Sequence, residues 1–325
     1  MSDNAVAGFG GARRGWLRAL AVRSPVWIAV ALLFLLASSI SPAFMSLEEV
    51  RNIFQVTAFL GVTAIGQTIA LMVGGIDLSI GGMVTLTNIL ATSVMDGHNS
   101  AILPAVGACL LAGVLVGLIN GVLIAYLRVT PMIATLSTNS ILFGVALVYT
   151  GGAPHGSAAP LFAPVGQGHI GGVPASGLSW IIVALIMSYV LTRTVFGRWV
   201  YAVGANPVAA GLMGVPVQPV LLGAYTLSSL MAVLGGLLIT AYIGNPSLGI
   251  GDQFLLTSVA AAVVGGTALT GGIGSIISTI GGALFIMEAN SFTNIAHMST
   301  GTQYIVQGVI IALSVLVYRF VLRTN

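Results

Sequence analysis

From Ser24 to Leu47 the chain carries no charged side chain, and long apolar runs of the same kind follow along its length. A helix needs about 20 mostly apolar residues to cross the hydrocarbon core of a bilayer. Lipid gives open backbone groups no hydrogen-bond partner, so only helices and closed barrels span it. Barrel strands would alternate polar and apolar residues; these runs are apolar throughout, which selects helices. Charged residues make up only 5% of the 325, against about 25% in a soluble domain, too few to cover a soluble surface. The pattern predicts an all-α polytopic membrane protein of about ten transmembrane helices. They fall near 25–44, 53–73, 80–96, 102–127, 132–150, 178–194, 217–242, 253–270, 275–293 and 303–321. Several are short or interrupted by Gly, so nine and eleven stay open. Residues 1–24 read as a polar, basic tail and 25–325 as one transmembrane domain.

Charge placement orients the spans. All ten basic residues are Arg. Basic residues favour the cytoplasmic side of short loops. With the N-terminus inside, Arg13, Arg14, Arg18, Arg23, Arg128, Arg193, Arg198, Arg319 and Arg323 share that side, and only Arg51 falls outside, beside Glu48 and Glu49. Both termini are then cytoplasmic. Two longer segments remain between spans: 151–177 outside, rich in Gly and Pro, and 193–219 inside. The inner one is broken by Gly204, Pro207, Gly211, Gly214 and Pro216 and cannot be one long helix. Its middle, "NPVAAGLMG", suits a short helix with Asn206 as N-cap, Pro207 at the first helical position and Gly214 just past the end. Such a helix at the cytoplasmic face is a surface for another protein.

Much chemistry is excluded. No P-loop exists, and without Lys none could. The scattered Arg residues do not make a nucleic-acid surface. The lone Cys109 lies in an apolar run and pairs with nothing in its own chain; no His/Cys cluster has metal-ligand spacing. Energy for any transport comes from a partner chain or an ion gradient. Ion relays place ionisable groups inside the membrane, and the candidates are Asp77, Asp252 at the outer rim, and Glu288. Glu288 reads either as a snorkelling or interhelix-bonded group or as the lining of a polar path.

Asp77 lies in "GGIDLSIGG". Gly74 and Gly75 can end one helix, and Asp77 or Ser79 can cap the next. Asp77 is then a cap, part of an inner gate, or both. Among uncharged polar residues in the spans, Asn88, Asn139 and Asn290 are the foremost candidates for lining a path; interhelix hydrogen bonding is the competing role. Gly113, Gly117 and Gly121 recur every fourth residue and read as a helix-contact face.

Four motifs then occur in order: "GGIDLSIGG", "GLINGVLIAYLRVTPMIATLSTNSILFGVALVYTGG", "FGRWVYAVGANPVAAGLMGV" and "AAAVVGGTALTGGIGSIISTIGGAL". Together the chain resembles the ribose/xylose/galactose-type permease subunits of bacterial ABC sugar importers, from about Val50 to Val317. The resemblance implies a dimer, of identical or paralogous copies, in the lipid of the inner membrane. It implies two ATPase subunits at the inner face that hold the ATP and Mg, no cofactor in this chain, and a periplasmic sugar-binding protein delivering substrate outside. It makes Asn206, Pro207, Val208, Ala209, Ala210, Gly211, Leu212, Met213 and Gly214 the helix that couples to the ATPase. The chain departs from the family pattern where Val208 replaces an acidic residue, Gly211 an Arg, Thr257 an Asp and Ile273 an Arg, which makes it a charge-poor member. The other readings are an ion-coupled transporter acting alone and a membrane scaffold without transport.

Overall fold

The computed structural model describes residues 25–299, 301–303, 305–306 and 308–309. The basic tail, most of the expected last span with Arg319, and Arg323 beyond it lie outside them. Among the described residues the long helices are α1 (Pro25–Ile40), α2 (Leu47–Met72), α3 (Ile80–Met95), α4 (Ile102–Ala125), α5 (Pro131–Thr150), α7 (Ala175–Arg193), α10 (Val217–Ile243), α11 (Asp252–Val264) and α12 (Ile276–Ile295). Among the described residues there are also short helices α6 (Ala163–Gln167), α8 (Val195–Ala205) and α9 (Pro207–Leu212), 3-10 turns at Pro42–Met45 and Asn99–Ala101, and a two-stranded hairpin of His169–Ile170 (β1) and Val173–Pro174 (β2).

Among the described residues six helices are long and apolar enough to cross a membrane: α2, α4 with the short turn before it, α5, α7, α10 and α12. Val26–Ile40, α3 and α11 are apolar but shorter. The expected span 253–270 is the largest revision. Its helix stops at Val264 because Gly266 adopts a left-handed φ of 89°. The Gly266 N–H then bonds the Val263 carbonyl and the Thr267 N–H the Ala262 carbonyl, closing the helix end on itself. In the segment 151–177, α6 and the hairpin are built where only a Gly/Pro loop was expected.

Burial ranks the helices. In its most apolar stretch α2 is 83% buried, against 28% for α4 and for α5. So α2 is the centre of the bundle. α10, α11, α12 and α7 pack around it, α10 also packs on α3 and α4, and α5 and α4 close the side beyond α3. Without a hydrophobic force between helices in lipid, close packing of small residues holds them together. The expected glycine face does this: a Cβ at Gly113 would lie 2.6 Å from Val233 Cγ2, at Gly117 2.4 Å from Thr226 Cα, and at Gly121 2.8 Å from Leu222 Cα. All three press α4 against α10. Cys109, on the same helix, is buried as expected. Trp180 is fully buried and lies flat enough on Gly61 that a Cβ there would meet its Nε1 at 2.2 Å.

Candidate functional site

The first functional feature is the break between α2 and α3. Gly74 takes φ 86°, its N–H bonds the Leu71 carbonyl at 2.9 Å, and the Gly75 N–H bonds the Ala70 carbonyl at 3.0 Å. This is the glycine-terminated helix end expected from the sequence. Asp77, however, is not a helix cap. Its Oδ1 accepts from the Ser79 N–H at 2.9 Å and the Ser79 hydroxyl at 2.5 Å, and its Oδ2 accepts from the Ser228 hydroxyl at 2.6 Å. Ser79 stands at the N-cap position of α3 with no side-chain cap bond. A short carboxylate two residues ahead of an N–H closes its own turn more readily than it reaches the next helix.

Asp77 is completely buried, and four helices converge on it and its neighbours. From α2, the Gln67 amide, oriented with its nitrogen toward the Asp77 carbonyl, donates to it at 2.8 Å and accepts from the Asp77 N–H at 3.3 Å. From α4, Asn120 donates to the Ser79 hydroxyl at 2.9 Å and accepts from Thr138 of α5 at 2.6 Å. Thr135 of α5 accepts from the Leu78 N–H at 3.0 Å. From α10 comes Ser228. A charged group inside a membrane survives only in such a satisfied setting.

The second feature is a cavity of about 370 Å³ between the middle of α2, the C-terminal turn of α10, the first turns of α11 and the second half of α12. Phe59 on its wall stands about 20 Å along α2 from Met72, at 1.5 Å per residue. Polar lining comes from Gln253, Thr257, Asn290, Asn294 and Gln303, and aromatic surface from Phe59 and Tyr242, whose ring centroids are 5.2 Å apart. Among the described residues no lining residue is charged.

Of the expected path residues, Asn290 lines this cavity. Asn88 does not; it is buried and pins a loop, donating to Thr240 Oγ1 at 3.1 Å and the Asn245 carbonyl at 3.2 Å while accepting from the Ser247 N–H at 2.8 Å. That loop, 244–251, runs inward along α3, where Gly251 meets Thr85 and Gly81. Asp252, whose side chain is exposed, opens α11 directly after this contact. Asn139 accepts from the Gly82 N–H at 2.6 Å, which ties α5 to the start of α3. Glu288 is 5% exposed and its Oε2 has no partner among the described residues; it is not among the described residues that line the cavity. Gln253 and Tyr242 were not singled out from the sequence. The spacing of four in Gln253/Thr257 and Asn290/Asn294, which puts each pair on one helix face, was the available signal.

The third feature is α9. Asn206 Oδ1 accepts from the Val208 and Ala209 N–H groups, both at 3.0 Å, and Gly214 takes φ 82°, so cap and stop stand where the sequence put them. Ala210 turns inward while Val208, Leu212 and Met213 are 72%, 85% and 85% exposed. The amphipathic α8 that precedes it, capped by Thr194 accepting from the Gly197 N–H at 3.3 Å, was hidden by the Gly and Pro residues of the segment.

Residues 50–315 match the model of a family described as branched-chain amino acid transport system / permease component. The ribose import permease protein RbsC of Escherichia coli (strain K12) is 36% identical over 309 residues, 94% of this chain and 96% of its own. RbsC of Haemophilus influenzae is 34% identical over 294 residues, 89% and 91% of the two chains. The galactose/methyl galactoside import permease protein MglC of E. coli K12 is 33% identical over 309 residues, 89% and 92%. No solved structure matches the chain.

Proposed function

The chain belongs to the permease family whose model it matches over residues 50–315, and from that premise we propose that it is the membrane subunit of an ABC importer for a neutral monosaccharide or a closely related polar solute. The cavity carries the reading of the substrate. Its amide, hydroxyl and aromatic lining offers hydrogen bonds and ring faces to an uncharged polyol, and its volume falls in the range of small-molecule sites. An amino acid would bring two charges into a wall that answers neither. The family's description names branched-chain amino acids, yet RbsC and MglC, which align over most of the chain, are named for ribose and galactose; the neutral lining sides with them.

In this reading a periplasmic binding protein releases solute into the cavity. Asn206 to Gly214 docks on an ATPase subunit that hydrolyses ATP with Mg, and the break at Gly74, Gly75, Asp77 and Ser79 is the inner gate. Two copies of the permease, or one with a paralogue, form the path in the bacterial inner membrane, both termini cytoplasmic. The apolar tip of α9 supports the docking role, since an exposed apolar patch marks an interaction site.

The test is uptake by vesicles that contain the permease with its ATPase and binding protein. Expected is ATP-dependent accumulation of a labelled pentose or hexose, with no competition from leucine. Uptake by the permease alone under a proton or sodium gradient would refute the reading in favour of a secondary transporter. Flux of leucine in place of sugar would refute the substrate class.

A further inference from the structure

Immediately before α9, three separated chain segments meet backbone to backbone. A Cβ at Gly204 would lie 1.7 Å from the Met72 carbonyl oxygen and 2.5 Å from the Gly272 nitrogen. A Cβ at Gly271 would lie 2.7 Å from the Gly204 carbonyl oxygen and 3.0 Å from Gly74 Cα. A Cβ at Gly272 would lie 2.9 Å from Ala205 Cα. No side chain fits at any of the three. Two hydrogen bonds close the contact: the Gly272 N–H donates to the Met72 carbonyl at 3.0 Å, and the Tyr201 hydroxyl of α8 donates to the Gly274 carbonyl at 2.8 Å. Gly74, Gly271 and Gly272 all hold positive φ, 86°, 87° and 75°, conformations that glycine alone adopts without strain.

The location gives this contact its meaning. On one side of the contact Ala205 leads directly into Asn206, the cap of α9. On another, Met72 ends α2 and Gly74 opens the break that holds Asp77. The third, 268–274, is the loop between α11 and α12, both of which line the cavity further up. Flexible side chains at such a contact would absorb a displacement of α9 by changing rotamer. Backbones in direct contact cannot, because packed interiors shift between discrete arrangements and do not yield gradually.

We propose that Gly204, Gly271, Gly272 and Gly74 form a rigid link that delivers displacement of the 206–214 helix to the Asp77 break and to the α11–α12 loop together. The glycines are positioning residues: they touch neither solute nor nucleotide and act by allowing no slack. The proposal rests on 206–214 being the ATPase-docking helix, and its failure is separable from failure of that reading.

The experiment uses the importer complex with its ATPase and binding protein in lipid nanodiscs and vesicles. Gly204→Ala is compared with Gly144→Ala, whose Cβ would meet nothing within 4 Å. Expected is that Gly204→Ala binds the ATPase and hydrolyses ATP but loses uptake, while Gly144→Ala keeps both. Gly204→Ala with normal binding and wild-type uptake per ATP hydrolysed would overturn the link. Leu212→Asp with Met213→Asp tests docking separately: if the ATPase still binds, the docking reading fails instead. Should Gly204→Ala not fold, amide exchange of the wild-type complex decides, measured nucleotide-free and after trapping with Mg-ATP and vanadate. Exchange at 72–79, 201–206 and 268–274 is expected to change in concert; a change confined to 201–206 would sink the proposal.

Discussion

Replacing Asp77 by Ala removes the acceptor of three hydrogen bonds at a completely buried position. The three do not weigh equally. The Ser79 N–H is fixed by the turn and bonds Asp77 Oδ1. The Ser79 hydroxyl still accepts from Asn120 but its own proton is stranded. Ser228 lies within α10, where Thr226 and Thr240 already donate to carbonyls four residues back, so its hydroxyl can do the same and adds little. Two stranded buried donors at about 1–3 kcal/mol each give a loss of roughly 2–4 kcal/mol once some relaxation is allowed. Asp77→Asn is the isosteric control: its oxygen keeps both bonds from Ser79, and its nitrogen can donate to Ser228, for a loss under about 1 kcal/mol. Equilibrium unfolding of both variants in mixed dodecylsulfate micelles, followed by circular dichroism, measures the difference. If the Ala variant unfolds within about 0.5 kcal/mol of the Asn variant, below the usual effect of losing a buried partner, these bonds do not hold the break and the reasoning fails. An Asn variant that folds normally yet transports nothing assigns the charge itself to the gate.

Gly117→Leu drives a side chain into the backbone of Thr226 and separates α4 from α10; it should lower the thermal midpoint and the yield of folded protein, read by fluorescence-detected size exclusion. Asn206→Ala removes two cap bonds at about 1 kcal/mol; global unfolding should stay put while ATP hydrolysis coupled to uptake falls. Asn88→Ala releases the 245–247 loop from two hydrogen bonds, which limited proteolysis should detect as new cleavage between 244 and 251. Gln253→Ala with Asn290→Ala strips amides from the cavity and should cut uptake from the liganded binding protein without disturbing the fold; unchanged uptake removes the cavity from the path.

What could be read beforehand follows the range of the interactions involved. The end of α2 at Gly74–Gly75 and the cap and stop of α9 at Asn206 and Gly214 were legible because each is made within a few residues. The glycine face of α4 was legible because its periodicity alone identifies a contact surface, although its partner α10 was not named by it. Of the two roles open to Asp77, the cap failed because Oδ1 turns back on the Ser79 N–H and Oδ2 is held by Ser228, 151 residues away; no local pattern encodes the second pairing. Asn88 and Asn139 looked like path residues for the same reason: their partners lie in a loop and a helix start far along the chain. The early end of α11 was missed because Gly265 and Gly266 look like two more small residues of an apolar run until one of them takes a positive φ. Of the cavity, the sequence reading caught Asn290 but not Gln253 or Tyr242, since four helices must converge before those side chains share a space.

The α4–α10 contact bears on the order in which the protein is made. α4 ends at Ala125 and α10 begins at Val217, so at 5–20 residues per second the ribosome needs roughly 5–20 s to reach the second helix. Over that interval Gly113, Gly117 and Gly121 face lipid. With no α10 yet present, acyl chains can cover this glycine face and later leave it at little cost. Asn120 beside them is in a different position, since its partners Ser79 and Thr138 are synthesised before α10. The polar tie among α3, α4 and α5 can close while translation continues, and the glycine seam closes last, when Val217–Ile243 enters the bilayer and displaces lipid from between two backbones.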